Sequence, residues 1–400
     1  MGKTSSLILL GLGLQIYNAP AVLYFWDLNG TDPGCGGATP SGTWSKDAYN
    51  WCKNDPEGSG VTGTNSSAGW SDDNFAVFSA GENEASGAFV VTVTNQILVA
   101  DIHVDSGHVT ITGSGELKLN TKASEANLLS VGHKATDNSV RYDVPLTGSS
   151  ATYGIVRYKR SLMIFGATNT YAGPTTIEGG ILQLGAPHVI PATSSLTLAN
   201  DNGRGDVASM WYATPMNTPA TFATGGFSQK LGTLNLTGPV ASVARTIDFG
   251  HGNCALEFDN SAAEGWISSD DSTPITLHIV NYTPGYDSLR FGTSASGLTT
   301  AQLAQIQFDD LANLPGQIDS QGFVTPALPV LLPLVRTDAS TVQLSWTAVV
   351  GRTYRVQSKT NLSTGGWNDL ADVYAITSPA SHTDFSATGS QRYYRVMVVP

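Results

Sequence analysis

The segment Ala100–His108, ADIHVDSGH, sets Asp101, His103 and Asp105 at alternate positions, with His108 close behind. On a strand, alternate residues share a face. Two carboxylates and an imidazole would then stand together, a set able to hold a metal or move protons. Ile102 and Val104 take the other face, so the pattern is equally that of a half-buried strand with a polar outer side. The plainer reading is preferred.

Oxygen-rich turns form a second group. DLNGTDPG offers Asp27, Asn29 and Asp32, and NDNGRGD offers Asp201, Asn202 and Asp206. Carboxylates and amides on glycine-bearing loops are ligands of the kind Ca²⁺ takes. Neither run has EF-hand spacing, and Asx-turns account for the same residues. Calcium is kept only as a candidate. Adjacent carboxylates at Asp72-Asp73, Asp270-Asp271 and Asp309-Asp310 would point to opposite faces of a strand and make no acid–base pair by themselves. Arg141, Arg157 or Lys159 could act as the base of a lyase, but no acidic cluster accompanies them. GxSxG, HExxH, P-loop and dinucleotide fingerprints do not occur. No catalytic residue and no cofactor is assigned.

Aromatic residues give a third candidate. Four of the eight tryptophans, Trp26, Trp44, Trp51 and Trp70, fall between Val22 and Gly81, separated by Gly, Pro, Asn and Asp. Irregular spacing of this kind suggests a small capping module stiffened by indole packing. The sharper alternative makes Trp44, Trp51 and Trp70 a stacking platform for carbohydrate.

The elements that must position these residues are β-strands. Charged residues make up 13% of the 400-residue chain, about half the usual share, and glycine reaches 43. Low charge with abundant Gly, Ser, Thr and Asn reads as extended structure with many turns. A net charge of −12 argues against a nucleic-acid partner. Gly2 and Lys3 followed by the apolar run Leu7–Ile16 and the small-x-small Ala19–Ala21 read as a secretory signal peptide over residues 1–21. No later run is long enough for a membrane span. In an oxidising compartment Cys35 and Cys52 are expected to pair, closing a loop that contributes roughly 3 kcal/mol. Cys254, in GNCALEF, is expected to be a buried thiol.

Period-two alternation runs through FVVTVTNQILVADIHVDSGHVTITGSGELKLN, Phe89–Asn120. The couplet TITGSGELKLN (110–120) returns as TIEGGILQLG (176–185), and shorter forms follow in SSLTLAN, LGTLNLTG, CALEF and PITLHIV. A small unit repeated without intervening helices indicates a solenoid, with short strands on its faces and glycine at its corners. One short helix is expected over Thr299–Leu311, capped by Thr299 or Thr300 and plugging the solenoid's open end. Beyond the proline-rich run Pro326–Val335, Val342, Leu344 and Trp346 and the paired YRV runs read as a sandwich.

FGATNTYAGPTTIEGGILQLG resembles the autotransporter-associated β-strand repeat over roughly residues 164–198, and LRFGTSASGLTTAQLAQIQF resembles a segment that closes such regions. The last 65 residues are similar to a fibronectin type III domain. The resemblance implies a right-handed β-helix in an exported protein of a Gram-negative-type bacterium. The 400 residues leave no room for a translocating barrel, so secretion through its own barrel is not expected.

The expected fold is all-β, a right-handed parallel β-helix followed by a small β-sandwich. Its parts are a signal peptide (1–21), a Trp-rich cap (22–81), the β-helix (82–325), a linker (326–335) and the sandwich (336–400). The expected function is that of a secreted, non-catalytic structural or adhesive protein, with assembly of copies end to end into a fibre as one possibility. The alternative is a β-helix that binds or cleaves extracellular polysaccharide.

Overall fold

A computed structural model describes residues 22–28, 40–53, 69–78, 87–121, 125–131, 138–158, 161–200, 217–250, 252–270 and 272–399. They form 32 strands, one short α-helix and one 3-10 turn. Among them no helix is long and apolar enough to cross a membrane.

Residues 23–326 build three sheets of eleven, ten and five strands. The ten-stranded sheet is parallel throughout. Parallel neighbours cannot be joined by a tight turn, and the chain alternates between sheets, adding one strand to each in passing. This is a parallel β-helix-like arrangement. The nine-residue strand Gln96–Val104 serves two neighbours on one side, with residues 96–99 beside 116–119 and residues 102–104 beside 129–131, and Asn74–Phe78 on the other.

Alternation decides what faces inward. Phe89, Val109, Val140, Met163, Leu182, Phe222, Ile247, Ile279 and Phe308 are consecutive register partners across the ten-stranded sheet. All nine are buried. Burying each such side chain contributes roughly 1.5–3 kcal/mol, and stacking lets one apolar position repeat from coil to coil.

Polar residues of the repeat tie coils together. Asn169 of the NTY run accepts from the Leu146 N–H at 2.8 Å and donates to the Val189 carbonyl at 2.9 Å. Tyr171 Oη meets Thr175 Oγ1 at 2.6 Å, and Thr175 Oγ1 meets Ser194 Oγ at 2.8 Å. Gly154 and Gly173 answer for two of the glycines. Both have positive φ, and a Cβ on Gly173 would lie 2.1 Å from the Ser150 carbonyl oxygen and 2.7 Å from Gly154 Cα. Only glycine lets the two corners approach this closely.

The Trp-rich segment belongs to the same sheets. Leu23–Trp26, Trp51–Lys53 and Asn74–Phe78 are strands of the eleven-stranded sheet, and Gly42–Trp44 is the edge of the ten-stranded one. Trp51–Lys53 runs antiparallel to Leu23–Trp26. The helix α1 spans Thr300–Gln305, with Thr299 and Gln302 forming a capping box. It is shorter than the sequence suggests, because Ile306 leaves it to pair with Leu277 in the ten-stranded sheet.

The last region is a sandwich of two three-stranded antiparallel sheets. One orders β1 (Val335–Arg336), β2 (Val342–Trp346) and β5 (Ala380–Asp384) as β1-β2-β5. The other orders β3 (Thr353–Lys359), β4 (Asn368–Tyr374) and β6 (Tyr393–Val398) as β4-β3-β6. Leu344, Trp346, Tyr354 and Val356 fill the space between them. Part of the expected linker is already sheet, since the Leu332 N–H donates to the Ser345 carbonyl and the Thr347 N–H to that of Val330.

Candidate functional site

The Asp101 group is architectural. Asp101 Oδ1 accepts from the Leu128 N–H at 2.7 Å, His103 Nδ1 meets Ser130 Oγ at 2.6 Å, and His108 Nδ1 meets Ser139 Oγ at 3.0 Å. Each contact joins one coil to the next. The expectation of an exposed face fails for Asp101 and His103, both of which are buried. A second apolar layer of Phe25, Cys52 and Val77 lies outside the sheet here, and Phe25, Val77 and His103 are successive register partners.

The three tryptophans proposed as a sugar platform are interior. Trp44 and Trp51 are fully buried and Trp70 nearly so. Their rings stand 4.9–5.1 Å apart at steep angles, an edge-to-face cluster that presents no flat indole face to a glycan. Of the calcium candidates, Asp27 is buried with its N–H on the Asn50 carbonyl at 2.9 Å. Asn29, Asp32, Asp201, Asn202 and Asp206 lie outside the described residues, and so does Cys35, the expected partner of Cys52. Among the described residues no three His, Cys, Asp or Glu side chains gather as a metal site would require. Cys254 is a buried thiol as expected, near Thr224 Oγ1 at 3.5 Å, and burial pushes its pKa up, away from thiolate reactivity.

The adjacent carboxylates Asp72-Asp73 and Asp309-Asp310 lie on turns rather than on strands, so strand alternation does not separate them, and the second pair takes different partners. Asp309 faces His278 Nδ1, both oxygens at 3.1 Å, while Asp310 accepts from the Asn281 N–H at 2.6 Å. The His278–Asp309 pair, 31 residues apart, was not foreseen, and only the register of two parallel strands could have revealed it. A carboxylate on Nδ1 fixes the imidazole's orientation. The register partners of His278 are Thr246 and Gln307, so the pair makes a half-exposed inter-coil tie.

Two arginines occupy inward positions and were equally unforeseen. Arg157 stands between Leu129 and Ile177 in register, donating to the Gly179 carbonyl at 2.6 Å and to that of Ser161. Arg245, between Ala220 and Leu277, donates to Thr237 O, Val240 O, Val243 O and Asn200 Oδ1. Burial lowers Arg157 to about 9 and Arg245 to about 10, so both remain cations at neutral pH.

The most open chemistry lies on the sandwich. Arg355 makes a two-pronged pair with Asp372, both contacts 2.8 Å. Gln357 bridges Asp369 and Arg395 Nε at 2.5 and 2.6 Å, and Arg395 lies 4.5 Å over the Trp367 ring. These groups satisfy one another across β4, β3 and β6. Tyr394 Oη donates to Asp384 Oδ2 at 2.9 Å. Burial and that carboxylate push the Tyr394 hydroxyl up to about 12.

Beside this network the seam between the two sheets is open. Leu328 and Pro329, together with Leu311, Ala312 and Leu314 of the preceding region, face Val396, Met397 and Val398 across a 400 Å³ groove. Leu334, Arg336 and Val342 face Tyr393 and Tyr394 across a second of 330 Å³. The described residues thus leave two open grooves beside β6. The chain matches no family model, no curated protein and no solved structure.

Proposed function

We propose that the chain is an exported, non-catalytic structural or adhesive protein of a bacterial surface or extracellular matrix, with a closed, right-handed β-helix of the autotransporter-associated repeat kind. The observation that carries this reading is the nine-membered interior row from Phe89 to Phe308, laid down in one parallel sheet. Polar residues that the motifs single out, Asn169, Tyr171, Asp101 and His103, are used to bind coil to coil. Such a body is a stiff spacer, and the sandwich at its end is what it would display. The polysaccharide alternative loses its platform with the burial of Trp44, Trp51 and Trp70.

Assembly end to end by continuing the parallel sheets is disfavoured at the C-terminal end, where α1 lies across the last coil. Gln302 Nε2 donates to the Ser261 and Glu264 carbonyls, and Gln305 Nε2 to those of Trp266 and Ile275. The side-chain amides take up acceptors that another strand would otherwise find.

Negative-stain electron microscopy of the protein beginning at Val22, with and without calcium, tests the structural reading. Discrete short rods are expected, their β-helix part roughly 45 Å long for ten strands at about 4.8 Å spacing. Long filaments would overturn the sealed end. Shortening of a polysaccharide by the purified protein would overturn the non-catalytic role.

A further inference from the structure

We infer that the free edge of β6 is a docking strand for β6 of a second copy of this chain, joining two sandwiches about a two-fold axis. The inference rests on the backbone edge of β6 and stands or falls apart from the export and adhesion reading.

The edge is open in hydrogen-bonding terms. β6 is the outer strand of the order β4-β3-β6, and among the described residues its ladder is with β3 alone. The Val399 N–H donates to the Thr353 carbonyl, so by antiparallel alternation residues 393, 395 and 397 bond toward β3. Tyr394, Val396 and Val398 therefore turn their N–H and C=O groups outward. No backbone partner on the outer side meets them among the described residues.

The edge is also unfinished in packing terms. Leu344, Trp346, Tyr354 and Val356 face the sandwich interior and are fully buried. Tyr394, Val396 and Val398 face the same interior from β6 and are only partly covered. The edge facing them across the seam is blunted by Pro329 and Pro333, which have no N–H to offer. β6 carries no such block.

The strand is complementary to itself. An antiparallel pair centred on Val396 sets Val396 against Val396 of the partner subunit and Tyr394 against Val398 of the partner subunit. All three pairs use outward-turned backbone groups, giving six hydrogen bonds. On the opposite face Arg395 meets Met397 of the partner subunit, so no like charges stand directly opposed. The partner's apolar side chains extend the core over the groove beside Tyr394, while beside Val398 they meet a groove whose far wall is Leu311, Ala312 and Leu314 of the same chain. A two-fold pairing of one edge with itself closes after two copies.

Sedimentation velocity of the full chain from about 1 to 100 μM, the range where a small interface is seen to dissociate, tests this with two variants. Met397 points outward and is 40% exposed, so substitution there spares the fold, which thermal unfolding would verify. Met397→Arg opposes Arg395 of the partner subunit twice, and the dimer should weaken about tenfold. Met397→Glu faces the same arginine and should tighten the dimer about threefold. A monomer at every concentration overturns the inference, and so does a dimer whose strength ignores both variants.

Discussion

In the β-helix-like region nearly every strand has a neighbour on each side, whereas in the sandwich four of six strands are edges. The two regions are made of the same material, short alternating strands, and differ in where unpaired backbone is left. The first region confines it largely to two ends and covers part of each. At one end Trp51–Lys53 returns antiparallel, and at the other α1 lends glutamine amides while Gly316–Ile318 and Phe323–Pro326 turn the five-stranded sheet antiparallel. The sandwich leaves β6 open along its whole length. Stacking thus leaves little unpaired backbone, and the small domain keeps an open edge.

The largest effect should come from the interior row. Phe222→Ala removes a fully buried ring with a register partner on either side and should cost about 3–5 kcal/mol. Leu344→Ala makes a comparable hole in the sandwich. Urea unfolding followed separately in the two regions should show each variant lowering one transition and sparing the other. A single transition moved by both would break the comparison, because the regions would then unfold as one unit.

Arg245→Met comes next, at about 3 kcal/mol. The methionine fits the inward position but leaves the Thr237, Val240 and Val243 carbonyls and Asn200 Oδ1 without their donor. Burial holds the native guanidinium at about 10, below its ordinary value. Between those two values the folded chain binds fewer protons than the unfolded one, so this group's contribution to stability rises with pH there. The variant should lose that rise, read as unfolding free energy against pH from 9 upward.

In the sandwich the sign is the same and the window is acid. Burial pushes the Asp384 carboxyl up, but Ser386, Tyr394 and Arg392 outweigh it and hold it below the usual range. Its contribution is present above the unfolded value, about 3.9, and is lost as pH falls through the folded one. Asp384→Asn should cost about 2 kcal/mol at pH 7 and flatten the acid limb of sandwich unfolding.

The sequence made the repeat legible because inward positions recur every second residue and corners need glycine, as at Gly154 and Gly173. Thr299 was readable as a cap because capping is a local affair of four residues. Indole packing was the reading the spacing favoured, but the sugar platform stayed open beside it, since Trp44, Trp51 and Trp70 meet only when two strands and the loop before Asn74 come together. For the same reason alternation correctly sent Ile102 and Val104 inward yet gave no hint that Phe25 and Val77 would bury His103 from outside. Arg157 and Arg245 defeat a hydropathy pattern altogether. They sit where Leu or Ala sits one coil away, and only carbonyls from neighbouring coils make that possible.

The smallest effect bears on the contrast most directly. Replacing Gln302 and Gln305 by Ala removes four side-chain bonds to the carbonyls of Ser261, Glu264, Trp266 and Ile275 and the two that Gln302 Oε1 accepts from Thr299 in the capping box. Because α1 covers an end rather than filling the core, these acceptors can take water in exchange, and the loss should be about 1–2 kcal/mol. The consequence for association should exceed the consequence for stability. Carbonyls freed at the end of a parallel stack are a template for another strand. The double variant should therefore lengthen into stacks in negative stain while melting only a few degrees lower, and Met397→Arg should leave those stacks intact. If the double variant stays as discrete rods, the glutamines merely fasten the helix, and the sealing of that end belongs to the antiparallel strands instead.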